Sequence, residues 1–219
     1  MIVLDLYLVR HGQSYGQTHI DGVQLNHIPH AQRPPHCETG LMEDDWRLTP
    51  LGQQQVKLLG GSLAQIPFDM IFCSPLERAR ATAQAVIECQ PGPVPVHVMR
   101  DLLEIGDYEP ETPEQFHARA LRTAATILEQ SPAGARVLVA AHASFNNLLL
   151  GAFLGVPMWE NLFRFGQDNT GLSRIIFAGE DVPKWKRVRL YCMNDLSHLT
   201  PYVREETIAG NMKGLYHSI

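Results

Sequence analysis

Five side chains of this 219-residue chain are of the types that handle a phosphoryl group together: Arg10, His11, Arg78, Glu104 and His142. The planar donor fork of arginine matches the oxygens of a phosphate. An unprotonated histidine nitrogen can be a covalent nucleophile. A glutamate can give up a proton and take it back. Ser74-Pro75, just ahead of Arg78, reads as a helix start, and helix N-termini offer N–H donors and positive partial charge to an anion. One histidine at a strand end is more often a satisfied structural residue; the co-occurrence of all five points to chemistry. The chemistry that uses the whole set is phosphoryl transfer through a phosphohistidine.

These residues need elements that bring them together. Ile2 to Val9 is a short β-branched, apolar run broken by Asp5, and reads as a strand ending at Arg10-His11-Gly12. Thr49-Pro50 is a cap followed by proline at the first helical position, and Val56, Leu58, Leu59, Leu63 and Ile66 then share one helix side. Phe68 to Cys73 reads as a strand, Ser74 to about Glu88 as a helix, and Val94 to Val98 as a strand. A helix is expected over Thr112 to Gln130, a fully apolar strand over Arg136 to Ala141, and a helix over Phe145 to Leu154. Two late strands, Leu172 to Ala178 and Trp185 to Met193, precede a polar tail after Thr200 that is expected to be peripheral. Strands alternating with helices predict an α/β three-layer sandwich around a mostly parallel sheet. Active sites in such sheets lie at the carboxyl ends of the strands, where Arg10, His11, Ser74 and His142 fall. No repeat, low-complexity tract or linker divides the chain, so 1–219 reads as one domain with a long inserted loop at about 13–47.

Composition narrows the classes. Hydrophobic residues make up 45% and charged residues 19%, against a usual charged share of about 25%, which excludes disorder, collagen-like repeats and a coiled coil. The net charge of -5 and a pI near 6.0 argue against nucleic acid as a partner, though not against an anionic substrate met by a few clustered arginines. No apolar run approaches the ~20 residues that cross a bilayer, and the N-terminus lacks the basic stretch of a signal peptide. Cys37, Cys73, Cys89 and Cys192 are scattered, the pattern of reduced thiols in a cytoplasmic protein.

The chemistry-bearing residues sit in motifs that carry a resemblance. Leu8-Val9-Arg10-His11-Gly12-Gln13-Ser14 resembles the signature of the histidine phosphatase superfamily, the phosphoglycerate-mutase-like family. Leu48-Thr49-Pro50-Leu51-Gly52, then Cys73-Ser74-Pro75-Leu76-Glu77-Arg78-Ala79-Arg80-Ala81-Thr82-Ala83, then Leu103-Glu104 with Gly106 and Glu109, then Val137 to His142 resemble the blocks that follow, in the family's order. The resemblance implies that His11 is the phosphorylated nucleophile. It implies that Arg10, Arg78 and His142 hold the phosphoryl oxygens, and that Glu104 protonates the leaving oxygen and then activates water. Gly12, Ser14, Gln17 and Ala143 would complete the phosphate cradle. It implies no cofactor and no metal. Glu109 and Glu111 compete with Glu104 as proton donor; the leucines before Glu104 match the family better. For His11 to attack, its other ring nitrogen should donate to a carbonyl such as that of Gly12.

Departures from the family pattern refine the expectation. Gln17 stands where asparagine is frequent, and Ala143 where glycine is usual; alanine is tolerated if it begins a helix. The Gln13–Trp46 stretch is longer than in relatives and the stretch from Glu104 to His142 shorter, with room for one helix. The long loop is therefore expected to fold over the site and set specificity. Its His19, Asp21, His27, His30, His36 and Cys37 match no standard zinc spacing, and read as a solvated, proline-stiffened loop whose histidines could also touch an anionic substrate. Arg80, two positions from Arg78, falls on another helix face and should face solvent or pair with an acid. Asn169, Asn194 and His198 read as local turn or strand-end residues, and Trp46, Trp159 and Trp185 as core or rim aromatics. The function expected is a metal-independent phosphatase of a small phosphorylated metabolite. A phosphoglycerate-type mutase, a phosphoprotein phosphatase and a non-catalytic phosphate-binding module are the alternatives.

Overall fold

Strand β1 (Ile2–Arg10) shows how the sequence builds the core. Successive side chains of a strand point to opposite faces. Leu4, Leu6 and Leu8 accordingly enter one apolar cluster, and Tyr7 and Val9 another. Burying each such side chain contributes about 1.5–3 kcal/mol, and only a strand covered on both sides can alternate in this way. The computed structural model describes residues 2–17, 19–20, 23–24, 47–105, 111–157, 165–179, 181 and 187–216.

In chain order the elements after β1 are a two-stranded ribbon, β2 (His19–Ile20) with β3 (Val23–Gln24), then α1 (Pro50–Leu63), β4 (Met70–Cys73) and α2 (Glu77–Ile87). There follow β5 (Val96–Val98), a 3-10 turn Arg100–Leu102, α3 (Pro113–Gln130), β6 (Ala135–Ala141), α4 (Ala143–Leu154), β7 (Leu172–Ala178), β8 (Val188–Asp195) and α5 (Pro201–Tyr216). The six-stranded sheet has the order β5-β4-β6-β1-β7-β8. β5, β4, β6 and β1 pair in parallel, while β7 and β8 are added by antiparallel pairing. Leu59 and Leu63 of α1 with Ala79, Ala83 and Val86 of α2 cover one face. Phe116, Ala120 and Ile127 of α3 with Phe145, Leu148 and Leu149 of α4 cover the other. The layered, mostly parallel α/β fold expected from the alternation is the fold observed. Because β6 lies between β4 and β1, the carboxyl ends of these three strands are neighbours, and the loops they feed converge.

The helix starts follow local chemistry. The Thr49 hydroxyl accepts from the Gly52 amide at 3.0 Å with Pro50 at the first helical position. Thr112 and Gln115 form a reciprocal capping box ahead of Pro113, a device worth about 1 kcal/mol. Asp5, the polar interruption of β1, is buried between two strand neighbours, Arg136 at 3.1 Å and Arg174 at 2.8 Å.

Three expectations need correction. The helix assigned to begin at Ser74-Pro75 begins at Glu77, capped by Leu76 without a side-chain bond, because the Ser74 hydroxyl is engaged elsewhere. The helix after His142 starts at once, with Ala143. The tail after Thr200 is not peripheral. Thr200-Pro201 opens α5, whose Thr207 hydroxyl accepts at 2.7 Å from the buried Gln55 amide of α1. Among the loop expectations, His27, His30, His36, Cys37, Asp21 and Trp46 lie outside the described residues, as do Glu109, Trp159 and Trp185.

Candidate active site

Three adjacent strand ends supply the centre. β1 ends in Arg10 and leads into His11, β4 into Ser74 and then α2 with Arg78, and β6 into His142. Arg78 is buried and stands between the two imidazoles, with Nε 3.1 Å from His11 Nε2 and 3.3 Å from His142 Nδ1. A guanidinium only donates, so both ring nitrogens facing it present lone pairs. His11 Nδ1 lies 2.7 Å from the Gly12 carbonyl, which only accepts. That fixes the proton on Nδ1 and leaves the Nε2 lone pair directed at Arg78. By the same logic His142 carries its proton on Nε2 and donates to Ser74 Oγ at 2.8 Å. The two rings stand edge to face with centroids 5.1 Å apart.

Electrostatics keeps both imidazoles neutral. Burial, then Arg78, the neighbouring His142 and Arg10, hold His11 well below its usual 6.5, against the Gly12 bond. Burial and the Arg78, Arg10 and Arg119 guanidiniums do the same to His142. Burial lowers Arg10 to about 10, still protonated at neutral pH. Its Nη1 donates to the Gln167 carbonyl at 2.7 Å and to Asn211 Oδ1 of α5 at 3.2 Å. Its buried Nε has no partner among the described residues, so a donor of a fixed cation remains for an acceptor.

Glu104, half-buried, sits at the N-terminus of α4. Its Oε2 accepts from the Ser144 amide at 2.9 Å and its Oε1 from Phe145 at 3.2 Å and Ile105 at 3.0 Å. These bonds, with the Arg10 and Arg78 charges, favour the carboxylate, but burial outweighs them and raises its pKa above the usual 4.5. A carboxyl so poised can exist as an acid and, after losing its proton, as a supported base.

The backbone frame around His11 depends on close approach. A Cβ at Gly12 would lie 2.7 Å from Val56 Cγ1 and 2.9 Å from the Gly52 carbonyl; one at Gly52 would lie 2.0 Å from the Gln13 carbonyl oxygen. The two glycines let α1 press on the exit of β1. The Gly12 amide donates to Thr82 Oγ1 at 3.0 Å. Ser14 is buried, and its amide donates to Gln17 Oε1 at 3.2 Å. That oxygen also accepts from Asn169 Nδ2 at 3.0 Å, so the Gln17 carbonyl is committed to the loop around His11. Ala143 lies in the first turn of α4 with helical backbone, so the missing glycine costs no strain there.

Read against known families, residues 6–112 and 106–190 match the model of the histidine phosphatase superfamily (branch 1). The chain belongs to the histidine phosphatase superfamily. It is 28% identical to the adenosylcobalamin/alpha-ribazole phosphatase of Escherichia coli (strain K12), over 74% of this chain and 85% of that one. It is 36% identical to the protein of the same name from Salmonella typhimurium over 106 residues, 48% of this chain; that match spans 43% of the relative's length. The crystal structure of the alpha-ribazole phosphatase from Shigella flexneri shares the fold, with a TM-score of 0.63 at 24% identity over 87% of this chain and 96% of that one.

Several residues of this superfamily member were not legible as site residues. Asn169 lies in a turn, as expected, but its Nδ2 also donates to the His11 carbonyl at 2.9 Å. Next to it Thr170 has φ 58, an unusual value for a β-branched residue. Its amide donates to the Arg10 carbonyl at 3.0 Å, and its hydroxyl meets His198 at 3.0 Å. Asn194, with φ 51, accepts from the Asp168 amide and donates to the Asp168 carboxylate, at 2.7 and 2.8 Å; Asp168 in turn accepts from Asn211 at 2.8 Å. Residues 167–171 thus form a hydrogen-bonded platform under Arg10 and His11. A run of polar residues immediately before a strand was its only trace in the sequence. Arg80 is exposed, as expected.

The two neutral imidazoles make stability pH-dependent. Their folded pKa values lie below 6.5, so the unfolded chain binds more protons as pH falls through that value and stability is lost with it. The melting temperature of the ligand-free protein should fall between about pH 7 and about pH 5, and less steeply for His142→Asn, as scanning calorimetry would measure.

Proposed function

We propose that this protein is a metal-independent phosphatase that hydrolyses a small phosphomonoester through a phosphohistidine on His11. The observation that carries the reading is the pair of contacts that fixes the His11 tautomer: Nδ1 on the Gly12 carbonyl, Nε2 on the Arg78 guanidinium. In the proposed first step the Nε2 lone pair forms the N–P bond while the P–O bond to the leaving group breaks. The leaving oxygen takes the proton of Glu104. In the second step the Glu104 carboxylate takes a proton from water, the water oxygen bonds to phosphorus, and the N–P electron pair returns to Nε2. Arg10, Arg78 and His142, with Gly12, Ser14, Gln17 and Ala143 around them, would hold the phosphoryl oxygens. Phosphoryl transfer needs positioning and charge neutralisation above all, and the buried Arg78 in the first turn of α2 with the half-buried Arg10 at the end of β1 supply both.

The names of the relatives put α-ribazole phosphate first among substrates to try. Phosphate release from it, from phosphoserine, from phosphoglycerates and from p-nitrophenyl phosphate should be followed with and without chelator. Turnover unchanged by chelator is expected. Turnover abolished by chelator and restored by a divalent ion would refute the metal-independent reading. Phosphoryl exchange between phosphoglycerates without net release would favour the mutase alternative.

A further inference from the structure

Among the described residues Arg119 of α3 is the largest side chain that is fully buried, with 1% exposure, and the proposed chemistry does not use it. Its Nη1 donates to the carbonyls of Asp101 at 2.7 Å and Leu103 at 2.8 Å. Its Nε donates to Glu111 Oε2 at 3.1 Å, and its Nη2 pairs with the other Glu111 oxygen. The guanidinium also lies over the rings of Phe116 and Phe145, at 5.0 and 4.6 Å. Three of these partners, Asp101, Leu103 and Phe145, border Glu104 in the chain or by hydrogen bond. Leu103 precedes it, Asp101 belongs to the 3-10 turn just before it, Glu111 follows seven positions later in the chain, and Phe145 gives it a backbone donor.

Stability alone does not account for such a group. Apolar Ala120 and Ile127 on the same helix fill the core without polar partners. A buried ion pair is often no more stabilising than an apolar replacement of similar volume. What the guanidinium supplies and an apolar side chain cannot is a rigid fork. It bonds the two carbonyls left open where a short 3-10 turn ends, and ties them to Glu111. We infer that Arg119, paired with Glu111, is a positioning residue for Glu104, fixing the backbone that leads into the acid and the ring of the residue that is one of its amide donors. The engagement of Glu111 by Arg119 also removes it as a rival proton donor.

The inference rests on the reading of Glu104 as proton donor, and the leaving group separates the two. Protonation matters for phenyl phosphate, whose phenolate leaves poorly, and much less for p-nitrophenyl phosphate. Glu104→Gln should therefore lose far more kcat/KM on the first substrate than on the second. Arg119→Lys and the double variant Arg119→Met/Glu111→Leu, which removes both buried charges together, should show the same pattern at smaller size. The expected extra loss is at least about tenfold on phenyl phosphate, a part of the roughly 100- to 10,000-fold that a positioned acid contributes. Equal losses on both substrates, or no loss, in a folded Arg119 variant would overturn the positioning role. So would failure of both variants to fold, which would make Arg119 a requirement of the fold instead. A flat Glu104→Gln profile would instead sink the assignment of the acid.

Discussion

Replacing His11 with alanine is expected to lower kcat/KM for p-nitrophenyl phosphate by on the order of 10⁴-fold or more, the scale seen when a covalent nucleophile is removed. Binding should survive. Arg10, Arg78 and His142 remain, and Arg10 keeps a buried Nε with no partner among the described residues. Inorganic phosphate should still raise the melting temperature of the variant, because a ligand that binds only the folded state stabilises it in proportion to its affinity. A variant that keeps turnover would remove His11 from the mechanism. One that loses phosphate binding along with turnover would make His11 a binding residue instead.

The second large effect belongs to Arg78. Its Nε contacts both imidazoles at once, so it would set their tautomers as well as offer charge to the phosphoryl group in the proposed reaction. Lysine keeps the charge but not the planar fork. Arg78→Lys should cost roughly a thousandfold in kcat, the lower end of what an arginine on a transferring phosphoryl group contributes. Removal of the charge that depresses both histidines should also raise their pKa values when methionine replaces Arg78. The acid limb of the pH profile would then move toward neutrality in Arg78→Met. Steady-state rates across pH measure both; a profile unchanged in shape would contradict the electrostatic part of the argument.

Much of the centre was legible because it follows from strand ends. Arg10, His11 and His142 are the residues at which apolar runs stop, and Arg78 follows a strand by a few positions, so chain order predicts their convergence once the sheet is parallel. The tautomer of His11 was also within reach, since the Gly12 carbonyl is its own neighbour. The supports were not. Asn169, Gln167 and Asn211 reach Arg10 and His11 from more than 150 residues away in sequence, and no local pattern announces such contacts. Nothing in the sequence singles out Arg119 on its helix; its burial against Phe116 and Phe145 gives it meaning. The helix α5 did carry a signal, Thr200-Pro201, the same start motif read correctly at Thr49-Pro50. It was masked by the polar composition of the segment after it.

The central claim is a phosphoryl group carried on His11 Nε2, and trapping it is the most direct measurement. Labelled p-nitrophenyl phosphate would be mixed with wild type and Glu104→Gln in chelator, quenched in alkali, digested and mapped by mass spectrometry. The account predicts acid-labile, alkali-stable phosphate on the peptide that contains His11. It should last longer in Glu104→Gln, where water is no longer activated. Phosphate on another residue, label that forms only with a divalent metal, or turnover in wild type with no label in either protein would contradict it.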